Sequence, residues 1–330
     1  MDAIIVNDTT QEYETVAFVN HYGCYATVTG LTALLHVNGI NVVKTVPRIH
    51  LLDKSIAYPM LDLAGLVVIN LEGSFHHARH IAKAILDVAK RAKHLGLTVW
   101  AVNGEIFEAN RTIEFVDIVD YLAVGDIHTY NTYSKRRSDI VLSADCSWLH
   151  GPVIGPVSRD NNMLICCGIG SISAVEAKRV AHIPNTQPVW YDAFFRFPKP
   201  ATDIAEKPIP ASRSLEEVLN TLAKSKWALS SSYHGGVFAT MTGTPWIPTS
   251  RPLPTLKLDT LCKEVYGALA ERVKTRKNIG AAWNEMHNSL VGVQKTFMER
   301  ACRNIPTSKP HIEIIKDIQK SKDEWMSKVD

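Results

Sequence analysis

No Cys-x-x-Cys pair occurs anywhere in the 330 residues. The six cysteines, Cys24, Cys146, Cys166, Cys167, Cys262 and Cys302, are scattered, and a chain of this length needs no disulfide staple. Free thiols in a reducing cytoplasm are the expectation. No run of five like charges occurs, and the formal net charge is only +3. That balance does not indicate a nucleic-acid coat or a membrane patch, but it suits anionic small molecules. No apolar stretch reaches spanning length. The start, MDAIIVNDTT, has no basic region ahead of an apolar core, so no signal peptide is expected. The chain also has no Ser-x-Gly nucleophile elbow, Walker loop or His-Glu-x-x-His motif. Those absences set aside hydrolase, phosphate-loop kinase and zinc-peptidase readings.

What is present is a strongly periodic chain. Hydrophobic residues make up 46%, enough for two cores of ordinary size. Short runs rich in Val and Ile at 3–7, 41–46, 66–70, 97–102, 121–124 and 140–144 read as strands. Between them lie helical patterns. The clearest is 78–94, with Ile81, Ile85, Val88 and Ala92 at helical spacing. Alternating strands and helices predict a parallel sheet covered on both faces.

The segment 148–162, with Gly151, Pro152, Gly155 and Pro156, reads as a linker. The pattern then restarts. Strands are expected at 163–167, 188–191, 227–229 and 246–248, and helices at 172–182, 212–224 and 236–242. Ser214 and Glu217 form a capping box. A proline-rich loop is expected over 197–210, and helices from 256 onward, where Ile314, Ile315, Ile318, Trp325 and Val329 make one stripe. The fold class expected is α/β. Two doubly wound Rossmann-like domains, 1–150 on the acceptor side and 163–255 on the donor side, would flank a cleft. A helical region, 256–330, would pack on the body. Ligands of such folds sit at the carboxyl ends of the strands.

Three stretches at such ends carry the candidate chemistry. In Ser-Ser-Ser-Tyr-His-Gly-Gly, Ser231, Ser232, Gly235 and Gly236 open a helix whose first amides suit an anion. His234 stands where it can give a proton to that ligand. The competing reading is a serine cap with a packed histidine. In Leu66–His80, Glu72 is a candidate base at a strand end, with Gly73, Ser74 and His76 beside it. His76 and His80 share a helix face, but no further ligand stands at metal spacing, so no metal is expected. The bland alternative for Glu72 is an exposed turn residue or an inter-domain ion pair. In Asn20–Tyr25, His21 and Gly23 open a helix that could hold a hydroxyl or an anion. There the alternative is a plain turn followed by a core cysteine. Asn103 lies at another strand end. Gly168 and Gly170 follow the first strand of the second half but lack the third glycine of a dinucleotide fingerprint.

These pieces, in this order, resemble the polysaccharide pyruvyl transferase family. Asn7-Asp8-Thr9 with His21-Tyr22-Gly23-Cys24 looks like its N-terminal strand and glycine loop. Asn70-Leu71-Glu72-Gly73-Ser74-Phe75-His76 looks like its Asn-Gly-Glu-Gly-Thr-x-His segment. Ala144-Asp145-Cys146-Ser147 looks like Pro-Asp-Leu-Ser, and 231–245 looks like Ser-Arg-x-His-Gly…Gly-x-Pro. The resemblance implies a fold similar to two-domain glycosyltransferases. It also implies transfer of a pyruvyl group from phosphoenolpyruvate to two sugar hydroxyls, with His234 as the acid.

The sequence departs from that pattern at Ser232 and Gly125, which stand where the family carries arginines. A two-pronged guanidinium grip is not reproduced by serine or glycine. Arg251, Arg196 and Arg213 are the arginines on other loops that could take its place. The leading expectation is a cytoplasmic transferase with no tightly bound cofactor. It would use phosphoenolpyruvate as donor and a saccharide or glycoconjugate as acceptor. The alternatives are a sugar-nucleotide glycosyltransferase of the same fold and a non-catalytic binder of a glycan or partner.

Overall fold

The computed structural model describes residues 1–10, 22–73, 75, 79–106, 109–152, 159–166, 187–191, 208–209, 214–230, 232–248, 256–275 and 282–326. The chain divides into two compact units. The first takes Met1–Val19, Cys24–Leu149 and Phe297–Asp330, and the second Asn20–Gly23 and His150–Thr296.

In the first unit the strands are β1 (Asp2–Asp8), β2 (Asn41–Pro47), β3 (Leu66–Asn70), β4 (Thr98–Gly104), β5 (Tyr121–Val124) and β6 (Val141–Leu142). They pair in parallel in the order β2-β1-β3-β4-β5-β6. The interior strands are apolar because helices cover both faces. Every residue of β3 is buried, whereas β2, at the sheet edge, exposes Asn41, Val43 and Lys44. The described helices are α1 (Tyr22–Val37, in this unit from Cys24 on), α2 (Lys54–Met60), α3 (Arg79–His94), α4 (Ala109–Ile118) and α5 (Ile127–Tyr133). The α3 stripe of Ile81, Ile85, Val88 and Ala92 is buried as its spacing predicts, in one core with Val67, Ile69 and Val99.

In the second unit β7 (Asp160–Cys166), β8 (Gln187–Tyr191), β9 (Pro208–Ile209), β10 (Ser225–Ser230) and β11 (Trp246–Pro248) form a parallel sheet in the order β11-β10-β7-β8-β9. The proline-rich stretch expected to be loop thus carries a two-residue strand, paired to β8. The helix predicted at 172–182 lies outside the described residues. Helix α6 (Leu215–Lys224) opens with the full Ser214–Glu217 capping box. It is followed by α7 (Tyr233–Met241), α8 (Leu256–Tyr266), α9 (Ala270–Thr275), α10 (Trp283–Cys302) and α11 (His311–Met326).

The helical C-terminal region does not go to one body. It belongs to the second unit up to Thr296 and to the first from Phe297. In the first unit, Phe297 stacks on Trp148 with ring centroids 4.4 Å apart, and Ile314, Ile315 and Ile318 are buried.

Each strand order contains one reversal. In the first sheet the chain runs outward from β1 on either side, so β1 and β3 flank the switch point. In the second, β7 and β10 do so. Crossover loops leave such a pair in opposite directions and open a crevice at the carboxyl ends.

Candidate active site

At the first switch point the last residue but one of β1 is Asn7, whose backbone is left-handed (φ 67). Asparagine is among the few side chains that accept that conformation cheaply. The side chains and backbones of the two strand ends are bonded to each other. Asn7 Nδ2 donates to the carbonyls of Asn70 and Glu72, and Asn70 Nδ2 donates to the Asn7 carbonyl at 3.3 Å. Asn70 Oδ1 accepts from the Glu72 amide at 3.2 Å. Arg48, just beyond β2, donates from Nε to Asn7 Oδ1 at 3.0 Å and from Nη2 to the Glu72 carbonyl. Its guanidinium lies against Gly73, which has φ +65 and no Cβ to obstruct it.

This frame turns the Glu72 side chain inward. Its Oε2 accepts from the Thr9 hydroxyl at 2.6 Å and its Oε1 from the Cys24 thiol at 3.2 Å. Only 5% of Glu72 is exposed, so the charge depends on these donors. Burial, and then the charge of Glu72, push the Cys24 thiol well above its ordinary range, so it stays a proton donor to the carboxylate. Glu72 is therefore not the exposed turn residue of the bland reading. Asn103, also left-handed (φ 64) and buried, joins the same frame by donating to Asn70 Oδ1 at 3.0 Å.

At the second switch point β10 runs into α7. Ser232 is the cap, its Oγ accepting from the Gly235 amide at 3.0 Å. The Gly236 amide closes on the Ser232 carbonyl at 3.3 Å. Ser230 Oγ donates to the Ser232 carbonyl at 2.8 Å. The amides of Gly235 and Gly236, expected to face an anion, are thus engaged within the helix. Gly236 serves packing: a Cβ there would stand 3.0 Å from Leu261 Cδ2 and 3.1 Å from Trp246 Cη2. The cap of the competing reading is real, and it is Ser232.

His234 is half-buried, edge-on to Tyr233 with centroids 5.3 Å apart. Lys257 Nζ lies 4.0 Å from the centroid of the Tyr233 ring, which brings a cation to this end of α7. Within the same unit Gly23 abuts the imidazole, where an added Cβ would fall 2.1 Å from His234 Nδ1.

Of the residues singled out from the sequence, Glu72, Gly73 and Asn103 come together in the first unit. Gly23, Ser232, His234, Gly235 and Gly236 come together in the second. His21, Ser74, His76, Gly168, Gly170, Ser231 and Arg251 lie outside the described residues, as do Arg196 and Arg213. Sequence reasoning missed Arg48, Thr9 and Cys24 as neighbours of Glu72, and Lys257 near His234. Arg48 carries the one readable signal, a cation directly after a strand end. Among the described residues no three metal-ligating side chains cluster.

A sequence profile of the polysaccharide pyruvyl transferase family matches residues 21–251. The chain belongs to that family. Membership makes the protein a transferase. No curated protein is significantly similar to it in sequence. Among solved structures it is similar to UDP-GlcNAc 2-epimerase from Neisseria meningitidis bound to UDP-GlcNAc, at 13% identity and a TM-score of 0.56, over 97% of this chain and 100% of that one. A further UDP-N-acetylglucosamine 2-epimerase gives 12% identity and 0.56, over 88% and 90%. The Methanocaldococcus jannaschii enzyme in complex with UDP-GlcNAc and UDP gives 12% and 0.50, over 75% and 83%. At such identities the likeness establishes the fold, the GT-B type of two doubly wound units. Among the described residues no helix is long and apolar enough to cross a membrane.

Proposed function

We propose that the protein transfers a pyruvyl or related group to hydroxyls of a saccharide or glycoconjugate, with phosphoenolpyruvate as donor. What supports this is His234, half-buried beside the second switch point, in the stretch that resembles the family's Ser-Arg-x-His-Gly signature. One acceptor hydroxyl adds to C2 of the enol while C3 takes a proton. A second hydroxyl then displaces phosphate from C2 and closes the ketal. Each hydroxyl gives up its proton, one matching the proton gained at C3 and one leaving with phosphate. His234 is the acid for C3, and Lys257 offers positive charge near it. Glu72, held by Thr9 and Cys24, is the acceptor for a sugar hydroxyl proton. Buried free thiols, Cys24, Cys146, Cys262 and Cys302, suit a reducing cytoplasm.

The test is phosphate release from phosphoenolpyruvate with a panel of saccharide acceptors. Release that depends on acceptor and falls in His234→Asn supports the reading. Absence of release, together with no phosphoenolpyruvate binding by calorimetry, rejects it.

One observation favours a second donor, a nucleotide sugar. Ser232 stands where the family carries arginine, and its hydroxyl is committed to the helix cap. Gly125 stands at the other arginine position, where an added Cβ would meet only Gly104 backbone atoms at 3.7 Å or more. Packing does not exclude a side chain there, so the missing arginine is a chemical departure. Thermal stabilisation by nucleotide sugars but not by phosphoenolpyruvate, lost in His234→Asn, would establish this second reading.

A further inference from the structure

We infer that Asn304 is a positioning residue for the Glu72 turn, acting from a segment beyond the residues matched to the family. Its relevance to catalysis rests on the reading above; its effect on the turn does not. Asn304 follows α10 and is fully buried in the first unit. Its side chain is fully committed. Oδ1 accepts from the Asn103 amide at 2.9 Å and from Ser143 Oγ at 3.1 Å. Nδ2 donates to the carbonyls of Ala144 at 2.7 Å and Ala301 at 2.9 Å.

The bond to Asn103 falls on the backbone amide of a left-handed residue near the end of β4. Asn103 passes the constraint on. Its Oδ1 accepts from the Cys146 amide, and its Nδ2 donates to Asn70 Oδ1, which also accepts the Glu72 amide. Asn7 and Arg48 fix the Glu72 carbonyl from the other side. Asn304, Asn103, Asn70 and Asn7 therefore form one chain of buried amides along the carboxyl edge of the sheet. Such a network is rigid when every member is bonded and loosens as a whole when one is removed. Deleting Asn304 takes the acceptor from the Asn103 amide and frees the left-handed turn that holds Asn70.

Hydrogen exchange read by mass spectrometry on the full chain tests this. In Asn304→Ala, exchange should rise about tenfold over 98–106 and also over 66–73, which Asn304 does not touch, while 41–47 in the same unit is unchanged. A rise confined to 139–149 and 299–308, or an equal rise over 41–47, would overturn the inference. Asn304→Asp keeps the acceptor for the Asn103 amide and loses the donor to Ala144. It should protect 66–73 while 143–145 loosens, and it carries the test if the alanine variant does not fold. Loss of protection at 66–73 in Asn304→Asp would also overturn the inference. Turnover is measured separately. A parent protein inactive with every donor counts against the proposed reaction alone, since the exchange pattern is read without it.

Discussion

His234 has a neighbour that no local pattern announces. Gly23 leaves room for the imidazole, and a methyl group there would overlap Nδ1. Gly23→Ala must therefore turn the ring or shift the start of α7. Misplacing a catalytic group by about 1 Å can cost about 100-fold. Turnover should fall toward that of His234→Asn with little change in melting temperature, and unaltered turnover would remove His234 from the reaction. Glu72 makes a contrasting case. Its two oxygens serve two donors, Thr9 and Cys24. Glu72→Gln keeps one acceptor oxygen and sets an NH2 group against the other donor. Urea unfolding should show a loss of about 1–3 kcal/mol, the cost of a buried unpaired polar group. A variant as stable as the parent would mean that the carboxylate does not anchor the turn.

Among the elements, α7 shows why a signature read from sequence was only half understood. Ser-Ser-Ser ahead of His-Gly-Gly was legible as a helix entry, and the helix is there. Its glycines read as anion seats because glycine so often marks close approach of a ligand. Here the close approach at Gly236 is by Leu261 and Trp246, side chains from α8 and β11. Helix periodicity could not reveal that, because the packing partners come from other elements. The same helix offers a direct test of the missing arginine. Ser232→Arg removes the cap, so stability should fall by about 1 kcal/mol. The variant also places a guanidinium where the motif resemblance expects the family's arginine. If phosphoenolpyruvate is the donor, its affinity measured by calorimetry should rise despite the lost cap. An unchanged affinity would show that position 232 does not meet the donor.

The whole molecule carries a shared response to alkali. Burial raises the thiols of Cys24 and Cys146 well above their ordinary range and Cys302 to about 12. Burial likewise raises the phenol of Tyr266, and that of Tyr121 to about 12. In the unfolded chain these groups lose protons earlier, the thiols from about pH 8.5. The unfolded state then binds fewer protons than the native one, so stability falls as pH rises. Their contribution is intact below about pH 8.5 and is lost progressively above it. Melting temperature should decline from about pH 9 upward, and Cys24→Ala should soften that decline. A flat profile to pH 11 would contradict the burial of these groups.

The sequence by itself determined the rhythm of strands and helices, the buried stripe of α3, the capping box of α6 and the order of the family signatures. Each is encoded by residues close together in the chain, through side-chain period and cap chemistry. Only the tertiary structure decided which strand ends become neighbours. It set Glu72 between Thr9 and Cys24, laid Gly23 on His234 and joined Asn304 to an amide 201 residues earlier. These meetings follow from strand order and from a chain that returns to its first unit after Thr296. No local period records either one.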